Sequence, residues 1–160
     1  MSFILITGNA TLDIVNCVTH YPHEDEELRA LEQWRDLGGN AATMARVLAA
    51  HRHRCDWVGV VANDSDGDKI LATLKAHQVG VEHADCQVGA SPVSYITVNQ
   101  QNGSRTIVHY RDLPELAAEA FMEIEVERYD WLHFEGRNVA ALGEMLQFAR
   151  ERVVDQPLSL

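Results

Sequence analysis

Short apolar runs predict the strands of this chain. Residues 3–7 form a continuous apolar run that ends at Gly8, and this pattern predicts a buried, parallel strand. A second strand is predicted over residues 12–21, where Val and Thr are frequent and Pro22 ends the run. The same patterns predict strands at residues 55–61, 92–98, 105–110 and 129–134, and the start of another at residues 157–160.

Helices are predicted where apolar residues recur every three or four positions. The clearest one begins at the turn Gly38-Gly39-Asn40 and runs to about Ala50, with Asn40 as its expected N-cap. Further helices are predicted at residues 69–77, 116–122 and 139–150; residues 28–34 fit a helix or a strand, and residues 79–81 are assigned to a connection. Strands that alternate with helices indicate an open α/β sheet.

Residues 92–110 interrupt this alternation. Two β-rich runs flank Asn102-Gly103, and that arrangement is a strong signal for a β-hairpin. Because the hairpin lies between helical segments, we interpret it as an excursion from the main sheet that forms a flap or lid. Arg105 follows the turn and could swing toward a bound phosphate, or it could only keep the hairpin edge soluble.

Composition and charge narrow the class of protein. The chain has 160 residues, which suits one domain with a sizeable core, and its net charge of −11 argues against nucleic acid or an anionic membrane as a partner. Its cysteines, Cys17, Cys55 and Cys86, fit a reducing cytosol better than a disulfide framework or a zinc site. The first apolar run is too short for a signal segment, and no run approaches transmembrane length. We therefore expect a cytoplasmic protein.

Polar residues cluster where predicted strands end. The sets are Gly8-Asn9 with nearby Asp13, then Asn63-Asp64, then Glu135-Gly136-Arg137-Asn138. Ligands of open α/β sheets bind beyond the carboxyl ends of the strands, so we expect these sets to share one rim with the helix start at Asn40. Carboxylate and amide groups suit a ligand rich in hydroxyl groups, such as a sugar. Taken alone, Asp13 is more simply explained as an exposed residue of a half-buried strand.

Nucleotide and calcium motifs are not found in the sequence. It contains neither a Gly-x-Gly-x-x-Gly fingerprint nor a P-loop. The acidic run from Asp64 to Asp68 lacks the ligand spacing and the distal Glu of a calcium-binding loop, so we interpret it as the cap of the following helix.

The order of these motifs resembles the ribokinase-like (PfkB) carbohydrate kinases. It runs from Asp13 to Gly38-Gly39-Asn40-Ala41 at a helix start, then to the hairpin 102–108 and then to His133-Phe134-Glu135-Gly136-Arg137-Asn138. The Gly-Gly-Asn helix start is typical of the whole family. The Asn-Gly-x-Arg-Thr-Ile-Val hairpin and the His-x-Glu-Gly-Arg-Asn run are narrower and resemble the ketohexokinase (fructokinase) group. The resemblance covers all 160 residues.

The resemblance implies a fold and a site. The fold is a mainly parallel α/β sheet with helices on both faces plus a small β-sheet lid, made by segments of about 11–36 and 91–110 of one domain that spans residues 1–160. Asp13, Gly39, Asn40 and Thr43 are implied to bind the sugar, and Arg105 to approach the phosphates or the sugar end from the lid. Supporting residues at the rim are implied to be Asn9, Glu135, Arg137 and Asn138. The resemblance also implies a homodimer formed through the lid.

Two departures from the family pattern limit what the resemblance implies. Thr43 stands where ketohexokinases tend to carry an Asn that contacts the sugar, so the identity of the sugar stays open. The Gly-Ala-Gly-Asp run, whose Asp is the family's general base, is not present in the sequence. We therefore expect the N-terminal part of an enzyme, ending before its C-terminal half and inactive alone, with no catalytic residue and no metal ligand of its own.

The complete enzyme is expected to use ATP and Mg²⁺, with the ATP site mostly outside this chain. Two alternatives remain open. The first is a non-catalytic fragment that binds sugar or dimerises, and the second is a related kinase for a nucleoside or another sugar.

Overall fold

The computed structural model describes residues 1–153 and 157–159, which form eleven strands and four α-helices. The strands are β1 (Phe3–Thr7), β2 (Thr11–Val18), β3 (Glu32–Gly38), β4 (Arg54–Val58), β5 (Val60–Ala62), β6 (Val79–Gly80), β7 (Asp85–Gln87), β8 (Val93–Asn99), β9 (Arg105–Tyr110), β10 (Trp131–Phe134) and β11 (Leu158–Ser159). The helices are α1 (Asn40–Ala50), α2 (Ser65–Ala76), α3 (Ala118–Met122) and α4 (Val139–Arg152), and a 3₁₀ turn covers Val126–Arg128.

The main sheet is parallel and has β1 at its centre. Its strand order is β11-β10-β1-β4-β6. Successive side chains of β1 point to opposite faces. Ile4 and Ile6 pack with α1 and α2 on one face, whereas Leu5 packs with α3 and α4 on the other. Both faces of the sheet are thus covered by helices, which explains why β1 is a continuous apolar run.

A second sheet of four strands stands beside the main one, in the order β3-β2-β8-β9. Strand β2 is antiparallel to β3 and parallel to β8, and β8 is antiparallel to β9. Leu12, Leu37 and Val93 anchor the base of this second sheet in the core formed with α1 and α2. A third sheet consists only of β5 and β7.

Most predicted elements are confirmed, with shifted ends. Residues 3–7, the hairpin, helix 40–50 and the strand at Leu158–Ser159 are found as predicted, while Leu160 lies outside the described residues. The strand predicted over residues 12–21 ends at Val18, because residues 19 and 20 already bend away. The ambiguous segment 28–34 leads into β3, which pairs with β2.

Two predictions near the edge of the main sheet are wrong, and one strand outside this sheet was missed. The strand predicted over residues 55–61 is broken at Gly59 into β4 and β5, which belong to different sheets. Val79–Gly80 is not a connection but the edge strand β6, which pairs with β4. Strand β7, which pairs with β5, was not predicted. Strands β4, β5, β6 and β7 are defined here by their pairing with strands that are distant in sequence. The local pattern of apolar and polar residues carries no information about such pairing.

No helix in the described part of the chain is both long and apolar enough to cross a membrane. The three cysteines are free thiols in this part of the chain. Burial, together with the neighbouring Asp56, raises the pKa of the Cys55 thiol to about 11, so this thiol is protonated and unreactive at neutral pH.

Asp64 is the N-cap of α2, as the interpretation of the acidic run requires, although the helix begins at Ser65 and not at residue 69. Its carboxylate accepts the N–H groups of Asp66 and Gly67. It also accepts the backbone N–H and the hydroxyl of Ser91, at 2.9 and 2.8 Å. Burial alone would raise the pKa of Asp64, but these hydrogen bonds outweigh burial, and the pKa lies below its ordinary value.

We predict that Asp64→Ala lowers the free energy of unfolding at pH 7 by about 1–2 kcal/mol, because the helix loses its cap. Urea unfolding measures this loss, and Asp64→Ser, which keeps a capping oxygen, is the control. The carboxylate stabilises the fold above its unfolded-state pKa, and this contribution disappears as the pH falls through the lowered folded-state pKa. Equal stability of Asp64→Ala and the wild type at pH 7 would contradict the prediction.

Candidate functional site

A cleft of about 900 Å³ separates the second sheet from the N-terminus of α1 and the end of β10. Eight of the nine residues predicted for the site line this cleft: Asn9, Asp13, Gly39, Asn40, Thr43, Arg105, Glu135 and Arg137. The structure therefore brings together residues from four separate stretches of the chain. Asn138, the ninth, lines a small chamber of about 30 Å³ on the other side of Glu135 and Arg137. It is the N-cap residue of α4 and has a left-handed backbone, with φ of 41°.

Asp13 lies on the wall formed by the second sheet, and close packing fixes its position. Its Oδ1 accepts the hydroxyl hydrogen of Thr11 at 2.8 Å. The backbone of Gly38, on the paired strand β3, approaches the carboxyl group so closely that a Cβ on Gly38 would overlap it. Gly38 is therefore required for space, and it sets the carboxylate at the mouth of the cleft.

Gly39 and Asn40 form the opposite wall at the start of α1. Gly39 has φ of 89°, and a side chain there would strike the backbone of Asn9 and Ala10. The expectation that Asn40 caps α1 is wrong: Gly39 occupies the N-cap position, and no side-chain cap is found there in the described part of the chain. Instead, the Asn40 amide Nδ2 donates to Oε1 of Glu135 at 3.3 Å. The amide is held by a carboxylate across the rim, so its oxygen remains as an acceptor toward the cleft.

Glu135 joins the elements of the rim. Its side chain is only 12% exposed, and Oε2 accepts the backbone N–H of Asn9 at 2.7 Å. The guanidinium of Arg137 lies 3.8 Å from Oε1. A carboxylate that is largely withdrawn from water needs such hydrogen-bond partners, so these contacts fix the position of Glu135 at the rim.

Two residues of this network were missed by the sequence analysis, namely Arg111 and Glu115. Arg111 donates from Nη1 to the side-chain oxygen of Asn9 at 2.9 Å and forms an ion pair with Glu115 at 3.2 Å. Glu115 also accepts from Arg137 at 2.9 Å. The one signal in the sequence was position: Arg111 follows the last predicted strand of the hairpin, where that strand re-enters the main fold.

A polar row crosses the cleft-facing side of the second sheet. Asp13 lies opposite Asp36 and Ser94 on its neighbouring strands, and Ser94 lies opposite His109. All four residues line the cleft. Ser94 Oγ and His109 Nδ1 are 3.2 Å apart, and Arg46 of α1 donates to Asp36 at 2.8 Å. Neither Ser94 nor His109 was predicted, because their contribution depends on strand register.

An apolar row lies next to the polar row on the same face. Trp34 is opposite Val15, Val15 is opposite Ile96, and Ile96 is opposite Ile107. Residues two positions apart on a strand share a face, so this apolar row continues the cleft-facing surface of the second sheet outward. Trp34 and Ile107 are partly exposed at its two ends.

Other predicted polar residues do not join the cleft. Asp64 of the Asn63-Asp64 set is bound to α2 and to Ser91, so this part of the expected rim is wrong. Within residues 1–153 and 157–159, no group of three or more His, Cys, Asp or Glu side chains could hold a metal ion. The chemistry that the cleft does offer is hydrogen bonding: carboxylates and an amide oxygen that accept from hydroxyl groups, beside a helix N-terminus that favours negative charge.

Solved structures share this architecture over nearly the whole chain. Ribokinase from Giardia lamblia matches 99% of the chain with a TM-score of 0.83 at 18% identity, and the chain covers 54% of it. A structure of Arabidopsis thaliana ribokinase complexed with ribose and ATP matches 98% of the chain with a TM-score of 0.81 at 17% identity, and the chain covers 52% of it. At these identities the likeness concerns the fold alone, and the fold is ribokinase-like, as expected from the sequence.

The sequence comparison identifies the family. The profile of the pfkB family carbohydrate kinases matches residues 1–156. Ketohexokinase from Mus musculus is 38% identical over 157 residues, which make up 97% of this chain and 53% of that protein. The chain belongs to the pfkB family of carbohydrate kinases. It spans about half the length of the curated relative it matches.

We predict that Gly38→Ala lowers the free energy of unfolding by about 1–3 kcal/mol, because the added methyl group overlaps the Asp13 carboxyl and forces it aside. The control is Gly143→Ala in α4, where the added methyl group meets open space and better helix propensity adds up to about 1 kcal/mol. Urea unfolding followed by tryptophan fluorescence compares the two variants. Equal stability of both would show that Asp13 is not held by this close approach.

Proposed function

We propose that this chain is the sugar-binding part of an ATP-dependent sugar kinase of the ketohexokinase type. The observation that carries the proposal is the convergence of Asp13 and Asn40 on one cleft, in a chain of the pfkB carbohydrate kinase family. In this proposal Asp13 accepts hydrogen bonds from sugar hydroxyl groups, and Gly39, Asn40 and Thr43 bind the sugar from the start of α1. Arg105 approaches the phosphates, and Asn9, Glu135, Arg137 and Asn138 support the rim.

The proposal includes the domain organisation and the cofactors. The 160 residues form the N-terminal part of one ribokinase-like domain, in which the segments of about 11–36 and 91–110 act as a lid. ATP and Mg²⁺ serve the complete enzyme; Arabidopsis ribokinase has been solved with ribose and ATP. The free thiols fit a location in the reducing cytoplasm.

We predict that fructose raises the melting temperature of the chain more than ribose or adenosine does in a thermal-shift panel. A ligand that binds only the folded state raises the free energy of unfolding by about 2.7 kcal/mol when its concentration is a hundred times its Kd. Asp13→Asn should weaken fructose binding roughly tenfold or more, because a hydrogen bond to a charged group is worth about 1.5–3 kcal/mol. Asp68→Asn, the same change on the exposed side of α2, is the control.

The outcomes of this panel distinguish the alternatives. Stabilisation by adenosine or ribose instead of fructose would favour a related kinase for a nucleoside or another sugar. The same samples supplied with ATP and fructose should release no ADP, because the sequence contains no Gly-Ala-Gly-Asp run to supply the family's general base. Turnover by the 160-residue chain would contradict the assignment of catalysis to residues outside it, and no response to any sugar would contradict the proposal itself.

We also propose that two copies associate through the lid. The two ends of the apolar row, Trp34 and Ile107, support this: they are 43% and 46% exposed, whereas Val15 and Ile96 between them are already buried, and a second copy of the same sheet would cover the ends. Such an arrangement would also close the outer end of the cleft against water.

We predict a dimer of twice 17.9 kDa in size-exclusion chromatography with light scattering. Ile107→Glu should convert it to a monomer, because the charge falls in the apolar row. Val108→Glu is a matched control: it is the next residue of β9, it is 66% exposed against 46% for Ile107, and it points to the other face. If Val108→Glu is monomeric and Ile107→Glu remains a dimer, the interface lies on the face of the second sheet that points away from the cleft.

A further inference from the structure

Arg111 connects the end of the second sheet to the wall of the cleft. It follows directly after β9, and its side chain is only 14% exposed. Its guanidinium donates to the carbonyl oxygens of Leu113 and Pro114, at 2.9 and 2.7 Å, and Nη2 lies 3.2 Å from Glu115. Nη1 donates to Oδ1 of Asn9 at 2.9 Å. All three nitrogens are therefore engaged, and the side chain has one defined position.

Arg111 lies behind the wall of the cleft. It lines the small chamber together with Asn9, Glu135 and Arg137, and these three residues also line the cleft itself. The chamber measures only about 30 Å³, which is room for a water molecule or two and not for a sugar. An effect of Arg111 on sugar binding must therefore be transmitted by its neighbours.

Asn9 is the residue that can transmit this effect. Its side-chain oxygen is held by Arg111, and its backbone N–H donates to Glu135 Oε2. Its carbonyl oxygen accepts the N–H of Ala42, in the first turn of α1, at 3.3 Å. Asn9 thus contacts both the helix that carries Asn40 and the carboxylate that holds the Asn40 amide.

In this series of contacts, the chemistry of each group determines which partner donates the hydrogen bond and which accepts it. A guanidinium only donates, so it is the oxygen of the Asn9 amide that faces Arg111. An ionised carboxylate only accepts, so it is the nitrogen of the Asn40 amide that faces Glu135. The contacts run from Arg111 to Asn9, from Asn9 to Glu135 and from Glu135 to Asn40. They leave the amide oxygen of Asn40 free to accept a hydrogen bond from a hydroxyl group.

We propose that Arg111 is a positioning residue of the sugar site, which acts by holding Asn9 and, through Glu135, the amide of Asn40. This inference rests on the proposed sugar-binding function. It adds that the residue after β9, outside the cleft, determines how well the cleft binds.

Isothermal titration with fructose tests the proposal on the 160-residue chain. Arg111→Met keeps the aliphatic stem but removes every donor, and we expect a Kd about tenfold higher because a small misplacement of a binding group is costly. In the Asn40→Ala background the same change should raise the Kd less than about twofold, because residues that act through one another are not additive. Equal effects in both backgrounds would overturn the positioning role.

A milder pair of variants protects the test against a failure of Arg111→Met to fold. Asn9→Ala leaves Arg111 and the backbone contacts in place but removes the acceptor for Nη1, so it should also weaken binding. Asn9→Asp keeps an oxygen for the guanidinium and should recover most of the affinity lost in Asn9→Ala. Equal affinity of Asn9→Ala and the wild type would overturn the proposal.

The control for a general loss of stability is Tyr129→Phe. This change removes the hydrogen bond that the Tyr129 hydroxyl donates to Asp56 at 2.7 Å. Both residues are buried, and neither of them lines the cleft. Its melting temperature should fall while the Kd for fructose stays unchanged; a Kd that follows stability in all variants would overturn the positioning role. If the wild type binds no sugar, the proposed function fails; if the wild type binds and the Arg111 and Asn9 variants bind equally well, only this inference fails.

Discussion

The half-buried carboxylate of Glu135 is the group on which the rim of the cleft depends. A carboxylate that is largely withdrawn from water needs donors on both oxygens, and here they come from the backbone of Asn9, the amide of Asn40 and the guanidinium of Arg137. These donors belong to three separate stretches of the chain. The need of this one carboxylate for hydrogen-bond donors therefore holds the end of β1, the start of α1 and the end of β10 in a single arrangement. The geometry of the cleft follows from that arrangement.

Glycine complements this constraint by allowing backbones to approach closely. Gly39 turns the chain into α1 directly above the carbonyl of Asn9, and Gly38 leaves room for the Asp13 carboxyl. Asp13 and Asn40, on opposite walls of the cleft, therefore present their polar groups on short side chains beside fixed backbone. Such groups lose little conformational entropy when a ligand is bound, which suits a site that must recognise hydroxyl groups by position.

The sequence predicted the parts of this protein that are encoded locally. The Gly38-Gly39-Asn40 turn, the Asn102-Gly103 hairpin and the apolar run of β1 each have a local physical cause, and they predicted an α/β sheet with an excursion beside it. The roles given to Asp13 and Asn40 came from the family resemblance and not from the local pattern. What it did not predict depends on distant partners. Arg111 meets Asn9 across 102 residues, and the Asn40 amide, which was expected to cap α1, instead donates to Glu135 across 95 residues. Strand β3 is polar and exposed over most of its length, so only its pairing with β2 identifies it as a strand.

The parallel pairing of β2 with β8 has a consequence for how the molecule assembles. The alignment of Asp13 with Ser94 closes a long loop that contains α1, β4 and α2. Contacts between residues so far apart in sequence are slow to form, since the loss of chain entropy precedes the gain from pairing. The pairing of β1 with β10 joins residues still farther apart, Ile4 with Trp131, so a nascent chain would have the roof over its cleft before its central sheet is complete. Until β8 pairs with β2, the edges of both strands are exposed to wrong partners, which makes this sheet a place where misfolding could begin.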